Sequence, residues 1–154
     1  TQRMKKVITI ALLAVFSIAT LWSGEKEADF QGRFEAVVQA ESMSPEKLKA
    51  IWSFDEATTH YVMYGRVRES IKDAMLRGVE TIEIVDFSIP EGTPKTEFEG
   101  IVYDYKPTPT KLLSVTYEKR MEGTPFKWSW PLGEVDGRLY LVELSPVEEV
   151  GGRQ

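Results

Sequence analysis

The sequence predicts an α+β domain, with helices first and an antiparallel sheet after them. Three observations carry the prediction. Apolar residues recur at helical spacing as far as Arg77, and from Val79 to Leu144 they alternate with a period of two. The breaks between the alternating runs, "PEGTP", "KPTPT", "EGTP" and "PLGEVDG", are short and built from turn residues. Strands joined this way pair antiparallel, because a parallel pair needs a crossover of about a dozen residues or more, and helices that precede such a sheet pack on one of its faces.

The elements follow in order. Residues 1–24 read as a signal peptide or an N-terminal membrane anchor. Met4-Lys5-Lys6 precedes an apolar run of 16 residues, Val7 to Trp22, which as a helix spans about 24 Å against a hydrocarbon core of about 30 Å. Ser17 and Ala19 are the small residues that precede a signal-peptidase cut, and cleavage and retention both stay open. In either case the lysines stay in the cytoplasm and the acidic chain is exported, to the periplasm or outside, or held on the membrane facing outward. Residues 25–43 are a spacer or a short amphipathic helix: Phe30, Phe34, Val37 and Val38 make one stripe, which Gly32 weakens. Residues 44–146 form the domain, and 147–154 a disordered tail. Ser44 is an N-cap before Pro45 at the first helical position, with Leu48, Ile51 and Trp52 on one face. A longer helix from His60 to Arg77 carries Val67, Ile71, Ala74 and Met75 and ends on Gly78, with Arg77 placed to suit the helix dipole. About five strands follow: Val79 to Ile89, Thr96 to Tyr105, Lys111 to Met121, Phe126 to Trp130 and Arg138 to Leu144. Asp136-Gly137 is the strongest hairpin signal, since a type I′ turn needs positive φ at both central residues.

Composition narrows the chemistry. At 154 residues, 42% hydrophobic, the chain has material for one core. Removing Arg3, Lys5 and Lys6 from the 19 basic residues leaves 16 against 24 acidic ones, a net −8 that repels phosphate backbones and argues against nucleic-acid binding. Cysteine is absent, which excludes disulfides, thiolate nucleophiles and zinc–thiolate sites, and the single histidine, His60, excludes a multi-histidine metal site within one chain. The sequence contains no Gly-rich phosphate loop, G-x-S-x-G elbow or EF-hand loop, so no metal or cofactor is expected.

Two or three helices, then a meander of long strands ending in "EVDGRLYLVEL", resemble the NTF2-like superfamily over roughly residues 42–145. The resemblance implies a strongly curved sheet wrapped on the helices as a cystatin-like cone, with an open end that is a pocket in some members and filled by side chains in others. The superfamily holds isomerases, dehydratases and epoxide hydrolases beside non-catalytic binding domains, and no catalytic motif carries over to this chain.

Two groups of residues are candidates for function. His60 sits in "FDEATTHYVMYGR"; were this stretch helical, Glu56 and His60 would be i, i+4 neighbours, with Tyr64 one further turn on. His60 or Asp55 as general base and Tyr61 or Tyr64 as donor would then make a small cofactor-free isomerase or hydratase. The bland alternative is a surface histidine with core tyrosines. Phe126, Trp128 and Trp130 share one strand face and are expected to line the inner face of the sheet against Leu48, Trp52 and Ile71, with Trp130, beside Pro131, the ring best placed to reach a pocket mouth. Trp52, Tyr61, Trp128 and Trp130 are the candidate ligand contacts. The leading expectation is a non-catalytic exported or membrane-anchored domain that binds a small apolar molecule or a partner protein.

Overall fold

A computed structural model describes residues 24–147; the N-terminal apolar segment and the expected tail beyond Val147 lie outside the described residues. The fold is α+β: three helices against a strongly curled antiparallel sheet, a half-barrel made of a four-stranded and a three-stranded part. The helices are α1 (Glu25–Val38), the single-turn α2 (Pro45–Leu48) and α3 (Tyr61–Arg77). The strands are β1 (Val79–Asp86), β2 (Thr96–Phe98), β3 (Ile101–Lys106), β4 (Pro109–Tyr117), β5 (Lys127–Val135), β6 (Arg138–Leu141) and β7 (Glu143–Pro146). The larger sheet has the order β1-β4-β5-β6 and the smaller one β2-β3-β7. Among the described residues no helix is long and apolar enough to cross a membrane.

α1 buries Phe30 and Phe34 completely. Each ring withdrawn from water contributes about 2 to 3 kcal/mol, enough to hold the helix on the sheet despite Gly32. Polar contacts fix its position. Arg33 donates to the carbonyls of Ala50 and Leu139, and Asp29 receives both Arg33 and Arg138, so α1, the segment after α2 and β6 are tied at one place. At the start of the helix Lys111 joins Glu27 to Asp86. In α2 the Ser44 hydroxyl accepts from the Lys47 N–H, the expected cap. The helix stops after one turn because Ile51–Ser53 instead run alongside β6: Leu141 N–H donates to Ile51 O at 2.7 Å and Ser53 N–H to Leu141 O at 3.2 Å.

The strands differ from their sequence boundaries: β1 ends at Asp86 and β4 at Tyr117, short of the expected Ile89 and Met121, and three further differences reshape the sheets. The run Thr96 to Tyr105 is two strands, because Glu99 and Gly100 both adopt positive φ and close a two-residue hairpin with Phe98 opposite Ile101. Conversely, β5 does not end at Trp130; it continues through Pro131 to Val135, with Pro131 O accepting from Val142 N–H. Asp136-Gly137 makes the expected turn, with φ 51° and 78°. The last strand is shared: β6 pairs with β5, the chain passes Val142, and β7 pairs with β3, so one nearly continuous segment carries the curl from one sheet to the other. Gly133 lets the return connection cross, since a Cβ there would lie 2.6 Å from Thr108 O.

The core lies inside the curl. Leu113 and Val115 of β4 stand opposite Trp130 and Trp128 and so share their face, which is turned toward Leu48, Ile51, Trp52, Val67 and Ile71. The opposite face carries Ser114 and Ser129, whose hydroxyls meet at 3.0 Å.

Candidate functional site

The residues singled out around His60 lie where the small sheet meets the start of α3. Residues 53–60 are not helical. The Asp55 carboxylate accepts from the Ala57 N–H at 2.9 Å, and the Asp55 carbonyl accepts from Thr58 and Thr59. This local turn competes with a helix for the same backbone donors. The i, i+4 pairing of Glu56 with His60 therefore does not form, and Asp55 is committed to its own turn.

His60 is buried, 5% exposed, and caps α3: Nδ1 accepts from the Val62 N–H at 3.2 Å, and its own backbone N–H donates to Leu144 O at 3.0 Å. Phe98 and Tyr103 pack edge-on to the imidazole at 4.7 and 4.6 Å, and Tyr61 stacks on it at 5.3 Å. The lone pair on Nδ1 that a general base would use is already held by the helix.

Tyr64 turns the other way, stacking on Trp52 at 5.2 Å and meeting Phe54 edge-on at 5.4 Å. A cleft of about 300 Å³ opens beside it, walled by Glu56, Thr59, Tyr61 and Tyr64. Behind this cleft lies Glu143, 5% exposed, accepting from the Asp55 N–H at 2.9 Å. Burial pushes its carboxyl above the ordinary value, and the Asp55 hydrogen bond opposes the shift. The buried Thr59 hydroxyl also favours the charged carboxylate, but it lies outside hydrogen-bond geometry and has no partner. A second, larger cleft of about 570 Å³ separates the β1–β2 connection from β3 and β4, with Phe87, Pro94, Tyr105 and Leu144 among its walls and a Lys95–Asp104 ion pair at 3.6 Å. Both clefts open to solvent, while the interior of the curl is filled.

The candidate ligand residues are split. Trp52 is buried and sends its indole N–H to Val142 O at 3.2 Å; Trp130 sends its own to the same oxygen at 2.8 Å. Trp128 lies 6.4 Å from Trp130 ring to ring, half-buried against the core. Phe126 leaves the row: it precedes β5, is 45% exposed and lies under the Arg120 guanidinium at 4.2 Å. Tyr61, 66% exposed, is the one candidate that reaches the surface, and there it meets Phe98 at 6.2 Å. Phe98 and Ile101 stand opposite each other on the β2–β3 hairpin, both partly exposed, and continue this apolar patch, while Val102, opposite Glu97, is exposed on the other face.

Comparison with protein-family models, curated proteins and solved structures found no match to this chain.

Sequence reasoning missed three features. The patch was hidden because Thr96 to Tyr105 reads as one strand, and a Glu-Gly pair is a weaker turn signal than Asp-Gly. Glu143 was legible as a lone acid in "LYLVEL", an otherwise apolar run. Arg77 does more than suit a dipole: it is 3% exposed and donates to Lys119 O at 2.8 Å and Pro125 O at 2.7 Å, with its guanidinium 4.5 Å from the centre of the Tyr117 ring. Tyr117, whose hydroxyl donates to Ser70 O, has its pKa pushed up to about 12, chiefly by burial.

Proposed function

We propose that the chain is a non-catalytic domain, exported or anchored at the membrane, that binds a partner protein through the β2–β3 hairpin. The carrying observation is the apolar patch of Tyr61, Phe98 and Ile101 on a molecule whose interior is filled. Neighbouring apolar side chains left in water are what a protein interface presents before its partner arrives. A small-ligand site buries most of its ligand's surface, and both clefts here open to solvent, which favours a partner protein over a small apolar molecule. In the NTF2-like reading, the curled sheet is a cone whose interior is occupied by Trp52, Ile71 and Leu113. The alternative, a small isomerase or hydratase, asks His60 for the lone pair that caps α3. Export rests on the lysines and apolar run at the N-terminus and on the acidic, cysteine-free body that follows.

The test places a photo-crosslinking residue at Ile101 and, separately, at Leu76, an exposed position on α3. A discrete adduct from position 101, lost on Phe98→Ser, is the expected result. No adduct at 101, or equal adducts at both positions, overturns the hairpin as the binding surface. Fractionation with mass determination tests export, and a soluble cytoplasmic product retaining Met4 to Gly24 overturns it.

A further inference from the structure

The longest open edge among the described strands is β1. It closes one side of the large sheet, pairs with β4 alone, and runs for eight residues. Phe87 N–H donates to Thr110 O. In an antiparallel ladder the residues facing the partner alternate, so Val85, Glu83 and Thr81 also face β4, and the N–H and C=O groups of Ile82 and Ile84 point outward. The side chains of Ile82 and Ile84 are half-buried and pack on the core, so an added strand would extend their cover.

Charge decides the occupant. β1 carries Glu80, Glu83 and Asp86 and no basic residue; Lys111 of β4 answers Asp86. A second copy laid antiparallel on this edge, with Ile82 opposite Ile84, would set Glu83 against Glu83 and Glu80 against Asp86. Like charges directly opposite one another are destabilising, so self-pairing is disfavoured in the register that would stack the isoleucines most fully. Glu83, on the face turned away from the core, attracts an extended segment whose basic side chains fall beside it and whose apolar ones fall beside Ile82 and Ile84.

We propose that β1 accepts, by strand addition, an extended segment of a partner protein that alternates apolar and basic residues. This rests on the partner-binding reading above but uses a separate surface. The probe is an end-blocked peptide of alternating valine and lysine, about eight residues long to match the strand, titrated against the domain while amide exchange is followed. The expected result is protection of the Ile82 and Ile84 N–H groups on peptide binding. Those of Thr81, Glu83 and Val85, already bonded to β4, should not change. Glu83→Lys, at an exposed position, should weaken binding about tenfold, and a valine–glutamate peptide should not bind. Ile101→Asp should leave peptide binding intact. No protection at Ile82 and Ile84 at millimolar peptide, equal affinity of the wild type and Glu83→Lys, or loss of binding in Ile101→Asp would overturn the assignment. Failure of the hairpin crosslink with these results in place would remove the hairpin surface and leave this one standing.

Discussion

Two indole N–H groups converge on one buried carbonyl, and this convergence can be weighed by experiment. Val142 is fully buried at the point where the last strand leaves one sheet for the other, and its oxygen accepts from Trp130 at 2.8 Å and Trp52 at 3.2 Å. Replacing either tryptophan with phenylalanine removes one hydrogen bond, worth about 1 kcal/mol, and a ring's worth of packing, about another 1 to 2 kcal/mol. In each single variant the carbonyl keeps its other donor. In the double variant it keeps neither, and a buried acceptor without a partner costs a further 1 to 3 kcal/mol or so. Trp52→Phe and Trp130→Phe should therefore each cost about 2 to 3 kcal/mol, and together more than their sum by about 1 to 3 kcal/mol. Urea titration of the four proteins, followed by far-ultraviolet circular dichroism because the fluorophores themselves are altered, closes the cycle. Additivity within about 0.5 kcal/mol would show that the two rings act independently and that the shared carbonyl is not the hinge of the curl.

Two further outcomes follow from buried charged side chains. Arg77→Met keeps the apolar stem but strands the carbonyls of Lys119 and Pro125; a loss of about 3 kcal/mol is expected, with faster amide exchange in residues 118–126, and unchanged exchange there would refute the clamp. Glu143 has its carboxyl held above the ordinary value, so the folded state binds its proton more tightly than the unfolded chain does. Its favourable contribution is complete below the ordinary carboxylate range and is lost as pH rises through the raised value. Glu143→Gln keeps an acceptor for the Asp55 N–H and removes the titration, so the stability of the variant relative to wild type should grow across that window; parallel pH curves would sink the argument.

The helices and most strands were legible because their residues obey local rules. Ser44 before Pro45, Gly78 after Arg77 and Asp136-Gly137 each specify a backbone conformation from one or two side chains, and Phe30 with Phe34 marks a buried stripe at any helical spacing. What was not legible depends on distant partners. Ile51 and Trp52 continue the apolar face of a helix in sequence, yet they are drawn into an extended path by Leu141, some 90 residues away. His60 reads as free chemistry until its Nδ1 is seen on Val62 and its ring between Phe98 and Tyr103. Trp130 followed by proline reads as a strand end, but the strand continues because Pro131 needs only its carbonyl, which Val142 uses. The candidate site thus lost its histidine to capping and gained a hairpin that no periodicity revealed.

The seating of α1 also sets a constraint in time. Its guanidinium contact from Arg33 reaches Leu139, 106 residues along the chain, on the strand that is synthesised after the other three of the large sheet. Until it emerges, Phe30 and Phe34 lack the strand that α1 packs on most closely, and the loop that must close to supply it is nearly as long as the domain. A growing chain would carry two incompletely covered phenylalanines on a marginal helix from the emergence of α1 until that of β6. A truncation before β5 should therefore give a sticky, unpaired helix rather than a smaller fold.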